Sequence, residues 1–252
     1  MRYEIEAGTD AGSLLLFDPA ALPADFERQF QSDAGETLER MTRWGRAFWI
    51  NTEGDGRYML HAYVDEPIPA GLEASVRDPE TVLAFQVPSG QLFLTGSEYA
   101  FRQHPSRLAK HPHMGSSVAI RPGIYQLTVY RAAYPDRLVQ ERFRNSVSPW
   151  EYRLWTSMTV LIPLAIAAWI VLVVIYFTTA RVPYHRHLSA VLALIFAVPF
   201  VVRWSDAYRS LKQRFALLER EFPSLVAWLM YRGPIERLSE TRRAAGEIRG
   251  LE

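Results

Sequence analysis

LWTSMTVLIPLAIAAWIVLVVIYFTTA, residues 154–180, is the most apolar stretch of the sequence and contains no Asp, Glu, Lys or Arg. It exceeds the ~20 apolar residues that an α-helix needs to cross a hydrocarbon core of ~30 Å. Pro163 lies inside the stretch and can bend such a helix without preventing a span. The stretch therefore predicts a transmembrane helix in an integral membrane protein, with the lipid bilayer as one partner.

The start of this helix has a signal of its own. Ser148-Pro149-Trp150-Glu151 has the S-x-x-E spacing of a capping box, with proline at the first helical position. The helix is therefore expected to begin before the bilayer does. Amphipathic aromatic rings near the ends of a span suit the headgroup region. The expected membrane-interface anchors are Trp150, Trp155, Tyr176 and Trp204.

A second apolar segment, residues 188–204, follows closely and contains Pro199. Its length is at or below the lower limit for crossing a bilayer, so a span would need local thinning of the bilayer or snorkelling of its end residues. A buried core helix is the alternative. The short link at 181–187 suits antiparallel neighbours, which favours a transmembrane helical hairpin over 148–204, with spans at 154–180 and 188–204.

Flanking cations predict the orientation of this hairpin. The link carries Arg181 and Arg186, and more cations lie on the other side of each span. Those outer cations are Arg142, Arg144, Arg153, Arg203, Arg209, Lys212, Arg214 and Arg220. The positive-inside rule then places both termini in the cytoplasm. The first residues show no charged and apolar leader, so no cleavable secretory signal is expected, in agreement with that orientation.

Residues 1–147 are predicted to form a soluble, mostly β domain. Short β-rich runs alternate with Gly, Pro and Asp, the pattern of an antiparallel sandwich or barrel-like fold. Two helical segments, 25–30 and 36–43, are expected to cover one end or face of the sheet. The pattern predicts four hairpins, whose strand pairs are 3–7 with 13–17, 48–51 with 57–64, 82–87 with 91–94, and 118–120 with 124–130.

Residues 205–252 are predicted to be a cytoplasmic tail of amphipathic helices. Apolar residues recur there at intervals of three and four, which indicates a seam for internal packing, a partner or a homo-oligomer. The seam consists of Tyr208, Leu211, Phe215, Leu218 and Phe222. The apolar run at 225–231 is too short to cross a bilayer as a helix. Its Leu225, Trp228 and Leu229 predict an interfacial segment, with packing beneath the β domain or partner binding as alternatives. The predicted fold class is thus an α+β membrane protein.

The sequence offers little chemistry. The chain has no cysteine, which excludes disulfides and thiolate metal sites, and a net charge of +1, which argues against nucleic acid as a partner. The pairs His111/His113 and His185/His187 supply too few ligands for zinc. Gly54-Asp55-Gly56 is interpreted as a turn. P-loop, nucleophile-elbow and H-E-x-x-H patterns are absent from the sequence, so no catalytic residue, cofactor or metal site is predicted.

These observations favour a non-enzymatic, membrane-anchored binding or scaffold module that presents a cytoplasmic β domain to a protein partner. A bacterial toxin-immunity protein is a specific version of it. A ligand sensor that signals through the hairpin would require a concave apolar pocket. A membrane-bound enzyme would require a cleft with clustered ionisable groups, for which His61, His104 and His111 are the places to look.

Overall fold

The chain folds as an α+β protein with two β-sheets. A computed structural model describes residues 1–178 and 185–237, and nine strands and eight α-helices lie in that part. The strands are β1 Arg2–Thr9, β2 Ser13–Phe17, β3 Ala47–Asn51, β4 Gly56–Val64, β5 Val76–Val87, β6 Gln91–Gly96, β7 Gly115–Ala119, β8 Gly123–Ala132 and β9 Leu225–Gly233. The helices are α1 Phe26–Ser32, α2 Ala34–Arg43, α3 Ala70–Glu73, α4 Ser106–Lys110, α5 Asp136–Ser146, α6 Pro149–Thr178, α7 His185–Trp204 and α8 Asp206–Glu219.

The two sheets differ in size and in how they are completed. The larger sheet has the strand order β1-β4-β9-β8-β5, and the smaller one has the order β3-β2-β6-β7. All neighbouring strands are antiparallel except β4 and β9, which are parallel. Because β9 lies between β4 and β8, the larger sheet is completed by a strand that comes about 90 residues later in the chain than β8.

One buried cluster contains side chains from both sheets. Ile5 and Ala7 of β1 are fully buried in it, whereas the intervening Glu4 and Glu6 are not buried. This is the period-two alternation of a strand with one buried face. Leu14 and Leu16 of β2 enter the same cluster from the smaller sheet. The apolar faces of the two sheets therefore share a core.

A second cluster lies on the opposite face of the smaller sheet. Leu15 and Phe17 of β2 pack there with Phe26 of α1 and with Leu38 and Met41 of α2. The structure confirms that the two predicted helical segments cover one face of a sheet. Because β2 is buried on both faces, its sequence is a continuous apolar run and does not alternate.

The predicted strands are confirmed in position, but the four predicted hairpins are wrong. In each of the four pairs, one strand belongs to the larger sheet and the other to the smaller sheet: β1 and β2, β3 and β4, β5 and β6, and β7 and β8. Each turn therefore carries the chain from one sheet to the other. Glycines supply the positive φ of such turns in either case, as at Gly12 with φ 63° and Gly90 with φ 77°. Turn chemistry alone cannot say whether the strands that flank a turn pair side by side.

The chain divides into two compact units, and the second interrupts the sequence of the first. The first contains Met1–Ala133 and the chain from Phe222 onward, and is called here the β domain; the second, Tyr134–Glu221, is called the helical insertion. The insertion separates β8 from β9, which are neighbours in the sheet with Arg131 opposite Leu225. The predicted boundary at residue 147 therefore lies inside the insertion.

The structure corrects the predicted helical tail. Residues 206–219 are helical, but the apolar run that follows is strand β9. Leu225, Ala227 and Leu229 alternate into the shared core and are at most 4% exposed. A short apolar run has the same appearance in a buried strand as in an interfacial helix, and the long-range pairing with β4 and β8 decides between them here.

Candidate functional site

Exposed apolar surface is concentrated in the helical insertion. Apart from Met1, every large exposed hydrophobic side chain in the described ranges 1–178 and 185–237 belongs to residues 134–221. On α6 they are Trp150, Val160, Ile162, Leu164, Ile166, Trp169, Ile170, Val171 and Val174, and on α7 they are Val191, Leu194, Phe200, Val201 and Trp204. Contiguous apolar surface of this extent marks a contact with a membrane or with another protein.

Helix α6 has the length and composition of a membrane span. Its part Pro149–Val174 contains an 18-residue window with a mean hydropathy of 2.5, and 17% of that window is buried inside the structure. It is the one helix among the described residues that satisfies both criteria by itself. Ala190–Trp204 satisfies them together with Asp206–Leu218, although the two segments are bent by 61° relative to each other.

The predicted capping box at the start of α6 is confirmed. The Ser148 backbone N–H donates to Glu151 Oε2 at 2.8 Å, and the Ser148 hydroxyl donates to the same oxygen at 2.8 Å. The Glu151 backbone N–H donates to Ser148 Oγ at 3.4 Å, and Pro149 is the first residue of the helix. Glu151 also accepts a bond from Arg214 Nη1 of α8 at 3.2 Å, which ties the first turn of α6 to α8.

An aromatic cluster joins α5, α6 and α8 within the insertion. The ring centroids of Trp155 and Phe215 lie 4.7 Å apart and stack, and Trp155 also stacks on Tyr208 at 5.8 Å. Phe143 meets both Phe215, at 4.9 Å, and Trp155, at 5.3 Å, with its ring edge-on. Tilted and offset arrangements of this kind are favoured by the ring quadrupoles. The aromatic cluster is thus defined by Phe143, Trp155, Tyr208 and Phe215, with Phe143 1% exposed.

Two cavities lie beside the aromatic cluster. The larger, of about 420 Å³, is lined by residues of α5, α6 and α8: Val139, Gln140, Phe143, Tyr152, Trp155, Thr156, Thr159 and Phe215. The second, of about 390 Å³, is lined by Arg144, Asn145, Pro149, Tyr152 and Arg153. Tyr152 contributes to both walls. The first wall is mainly apolar and the second carries two guanidinium groups, so the pair offers an apolar and a cationic compartment side by side.

The four expected interface anchors differ in their exposure in the structure. Trp150 and Trp204 are exposed, at 58% and 75%, and stand at the start of α6 and the end of α7. Trp155 instead belongs to the aromatic cluster, where its ring packs inside the insertion. The side chain of Tyr176 lies outside the described part of the structure, as do residues 179–184 at the end of the predicted span and the start of the link.

Four of the five residues of the predicted helix seam lie on α8. Leu211 and Leu218 are buried, and Tyr208 and Phe215 stack on Trp155. These four residues pack inside the insertion, while Phe222 follows the end of α8 and belongs to the β domain.

Leu225, Trp228 and Leu229 are not an interfacial segment. All three belong to strand β9, in which Leu225 is 4% exposed and Leu229 is fully buried. Trp228 pairs with Tyr63 of β4 on one side and Thr128 of β8 on the other. Hydrogen bonding to two strands requires a central place in the sheet, so this prediction is wrong.

Two carboxylates of the β domain, those of Asp18 and Glu27, accept hydrogen bonds from the backbone of loops. Asp18 is fully buried and accepts bonds from the backbone N–H of Ala20 at 2.9 Å and from Ser89 N and Oγ, each at 2.7 Å. Glu27 accepts from the backbone N–H of Arg102 at 2.8 Å and of Gln103 at 3.2 Å. Burial raises the pKa of Glu27, but these backbone bonds outweigh it and hold the pKa below its usual value.

The surroundings of His104 and His111 offer a small cavity and, among the described residues, no metal-binding group. A cavity of about 180 Å³ near His104 is bordered by Glu27 and Glu98, which is small beside the ~300 Å³ or more of typical ligand pockets. His111 and His113 have ring centroids 6.2 Å apart, and no group of three or more His, Cys, Asp or Glu in the described ranges could hold a metal ion. The side chains of His185 and His187 lie outside the described part.

No protein-family model and no curated protein matches the chain. A comparison with solved structures finds a protein described as Crocagin biosynthetic gene J. The two chains are 18% identical, with a TM-score of 0.38 over 52% of this chain and 77% of the other. A similarity of this size defines neither the fold nor the function of the present chain.

Proposed function

We propose that this chain is a non-enzymatic binding or scaffold module, held in a membrane by α6 and α7, that presents its β domain to a protein partner in the cytoplasm. The observation that carries the proposal is the helical insertion, whose large apolar side chains face outward from two long helices. Such side chains are stable where hydrocarbon replaces water as the solvent.

The order of the strands supports a hairpin with two spans. A folded β domain lies on one side of a membrane, and its strands β8 and β9 leave and re-enter it as neighbours in one sheet. If α6 crosses the bilayer, the chain must therefore cross back before Phe222. Helix α7, His185–Trp204, is the apolar helix available for the return.

The length of α7 is just sufficient for that return. Its 20 residues extend ~30 Å at a rise of 1.5 Å per residue, about the thickness of a typical hydrocarbon core. Because Arg186 and Arg203 lie near its two ends, the apolar part is shorter and the span needs local thinning of the bilayer or snorkelling. Helices α6 and α7 also pack together, since Met158 and Ala165 line a groove with Phe196 and Pro199. Small and flexible side chains at such a contact are usual between membrane helices.

The proposed architecture of the β domain is a two-sheet sandwich. The shared buried core supports it, as does a side-chain bridge between strands of different sheets. Ser116 Oγ of β7 accepts from the Glu6 backbone N–H at 2.9 Å and donates to the Glu6 carbonyl at 2.6 Å. Since Asp18 and Glu27 are bonded to loop backbone and the cavity beside Glu27 is small, binding through the surface of this sandwich is favoured over chemistry in a cleft.

Insertion is tested by placing charges in the middle of α6. Ile170 and Val171 are about half exposed, so Ile170→Arg/Val171→Arg leaves internal packing largely intact. Each arginine is expected to oppose insertion by about 2.5 to 3.5 kcal/mol near the centre of a span. The measurement is flotation of the full chain with liposomes on a density gradient, in which the wild type floats and the double variant sediments.

The control pair is Leu138→Arg/Leu217→Arg, which adds the same charge at exposed apolar residues of α5 and α8. It should float as the wild type does. A wild-type chain that stays in solution without lipid or detergent would overturn the membrane anchor.

Orientation is tested by labelling, which the absence of cysteine makes direct. Single cysteines are introduced at Ser89 in a turn of the β domain and at Tyr184 in the link, and intact cells are treated with a membrane-impermeant maleimide. Tyr184→Cys should be labelled in intact cells, whereas Ser89→Cys, at an exposed position, should be labelled only after lysis. Labelling of Ser89→Cys in intact cells would contradict the cytoplasmic placement.

The protein partner is tested with the chain as it exists. Full-length protein is purified in mild detergent, and any co-purifying protein is identified and then mixed back with pure chain. A stoichiometric complex that re-forms from the two pure components supports the scaffold proposal. Recovery of a small-molecule product from a substrate library by the pure chain would point to an enzyme instead.

A further inference from the structure

The two cavities beside the aromatic cluster form a combined site with an apolar and a cationic part. The larger cavity, at about 420 Å³, lies within the ~300–1,000 Å³ range of small-molecule sites. Every residue that lines either cavity belongs to the helical insertion.

The larger cavity presents hydrocarbon to an occupant. Its walls include Val139, Phe143 and Trp155. The two threonine hydroxyls on the wall are turned back to their own helix, where Thr156 Oγ1 donates to the Tyr152 carbonyl at 3.0 Å and Thr159 Oγ1 donates to the Thr156 carbonyl at 2.6 Å. Because these hydroxyls are already satisfied, an apolar chain can fill the cavity without breaking a hydrogen bond.

The smaller cavity presents two arginines for which the described side chains supply no carboxylate partner. Arg142 pairs with Glu221 at 3.7 Å, and Arg214 pairs with Glu151 at 3.2 Å. Among the side chains that the structure describes, no carboxylate lies within 4.0 Å of Arg144 or Arg153, and both arginines line the cavity with Tyr152. Two guanidinium groups beside a phenol hydroxyl match the donors that a phosphate ester accepts.

The cations stand at the depth of lipid phosphates if α6 spans the bilayer. Arg153 is the last charged residue before the apolar stretch 154–180, so it lies at the edge of the predicted span, where the headgroup layer meets the hydrocarbon. Thr159 lies six residues further along the helix, ~9 Å toward the hydrocarbon. The cationic and apolar compartments thus follow the order of a lipid headgroup and its acyl chains.

We propose that these two cavities bind one anionic phospholipid of the cytoplasmic leaflet, its phosphate between Arg144 and Arg153 and an acyl chain against Val139, Phe143 and Trp155. This inference rests on the proposed membrane anchor and adds a specific lipid site to it. The bound lipid would then hold α5 to the first turns of α6.

The test is native mass spectrometry of the full chain, purified in mild detergent and supplied with phosphatidylglycerol or phosphatidylcholine. One phosphatidylglycerol per chain should be retained, and Arg144→Gln/Arg153→Gln should weaken that binding about thirtyfold. Phosphatidylcholine, which has no net charge, should bind the wild type more weakly than phosphatidylglycerol does. The matched control is Arg137→Gln/Lys212→Gln, which removes the same charge from exposed residues that line neither cavity. It should retain the lipid.

Three outcomes would overturn the lipid site. Equal loss in the control pair would show a diffuse attraction to charge. If phosphatidylcholine were retained as well as phosphatidylglycerol, the two arginines would not select an anionic lipid. Displacement of the lipid by millimolar inorganic phosphate would assign the site to a free anion. Flotation with liposomes is measured on the same variants, so loss of lipid binding with flotation retained separates this proposal from the membrane anchor.

Discussion

At the scale of single residues, the charged carboxylate of Glu27 stabilises the fold by accepting hydrogen bonds from loop backbone. Its carboxylate caps two backbone N–H groups, of Arg102 and Gln103, and so fixes the chain between β6 and α4 against α1. Its pKa is lowered in the folded state despite burial. The carboxylate therefore stabilises the fold at pH values above its ordinary pKa of about 4.5, and this contribution is lost as the pH falls through the lowered value.

Glu27→Gln is expected to lower the free energy of unfolding at pH 7 by about 1 kcal/mol, because a neutral amide oxygen is a weaker acceptor for two backbone donors. The difference from wild type should shrink as the pH falls through the lowered pKa of Glu27, because the wild-type carboxyl group then also becomes neutral. Thermal unfolding in detergent at several pH values measures both effects. Glu36→Gln is the control, since Glu36 is 71% exposed and its pair with Arg40 is at 3.6 Å. A difference that persists unchanged into acid would contradict the assigned role.

At the scale of elements, the start of α6 is the clearest case of a local signal that specifies structure. Ser148→Ala removes the hydroxyl of the capping box and leaves the Glu151 backbone N–H without its acceptor. The expected cost is about 1 kcal/mol, or about a fivefold faster hydrogen exchange at the first backbone amides of the helix. Hydrogen exchange followed by mass spectrometry measures this in detergent.

Ser157→Ala is the matched control, because the Ser157 hydroxyl donates to the Leu154 carbonyl of its own helix and caps nothing. It should leave exchange at the start of α6 unchanged. Exchange that is equally slow in Ser148→Ala would mean that tertiary packing, rather than the cap, holds the first turn.

Local and long-range elements differ in how far the sequence predicts them. The capping box and α6 were predictable because spacing and hydropathy over neighbouring residues determine them. Strand positions were predictable for the same reason, but their partners were not, since a turn at Gly12 or Gly90 serves a change of sheet as well as a hairpin. The aromatic cluster was predictable in part: the seam of α8 named Tyr208 and Phe215, whereas Phe143 of α5 joins them through tertiary contacts that no spacing reveals.

At the scale of the whole molecule, the β domain is built from two separate parts of the chain, because the helical insertion lies between them in the sequence. The β domain needs β9, which is made after both long helices. Without it, β4 and β8 would each lose a neighbour and the core would lose Leu225, Ala227 and Leu229. Residues 1–147, the domain predicted from sequence, should therefore aggregate when expressed alone, because unpaired strands and an open core remain exposed.

Replacing residues 134–221 with a Gly/Ser turn of about four residues should instead give a soluble, folded β domain, since loops of that length join antiparallel neighbours. The ends to be joined are already adjacent: the Ala132 backbone N–H donates to the Ser224 carbonyl at 3.0 Å. Size-exclusion chromatography, circular dichroism and urea unfolding compare this chain with residues 1–147. A cooperative transition in the joined chain and none in the fragment would show that β9 completes the domain; equal cooperativity in both would show that β9 is dispensable. Because the joined chain lacks α6 and α7, its failure to float with liposomes would also trace membrane attachment to the insertion.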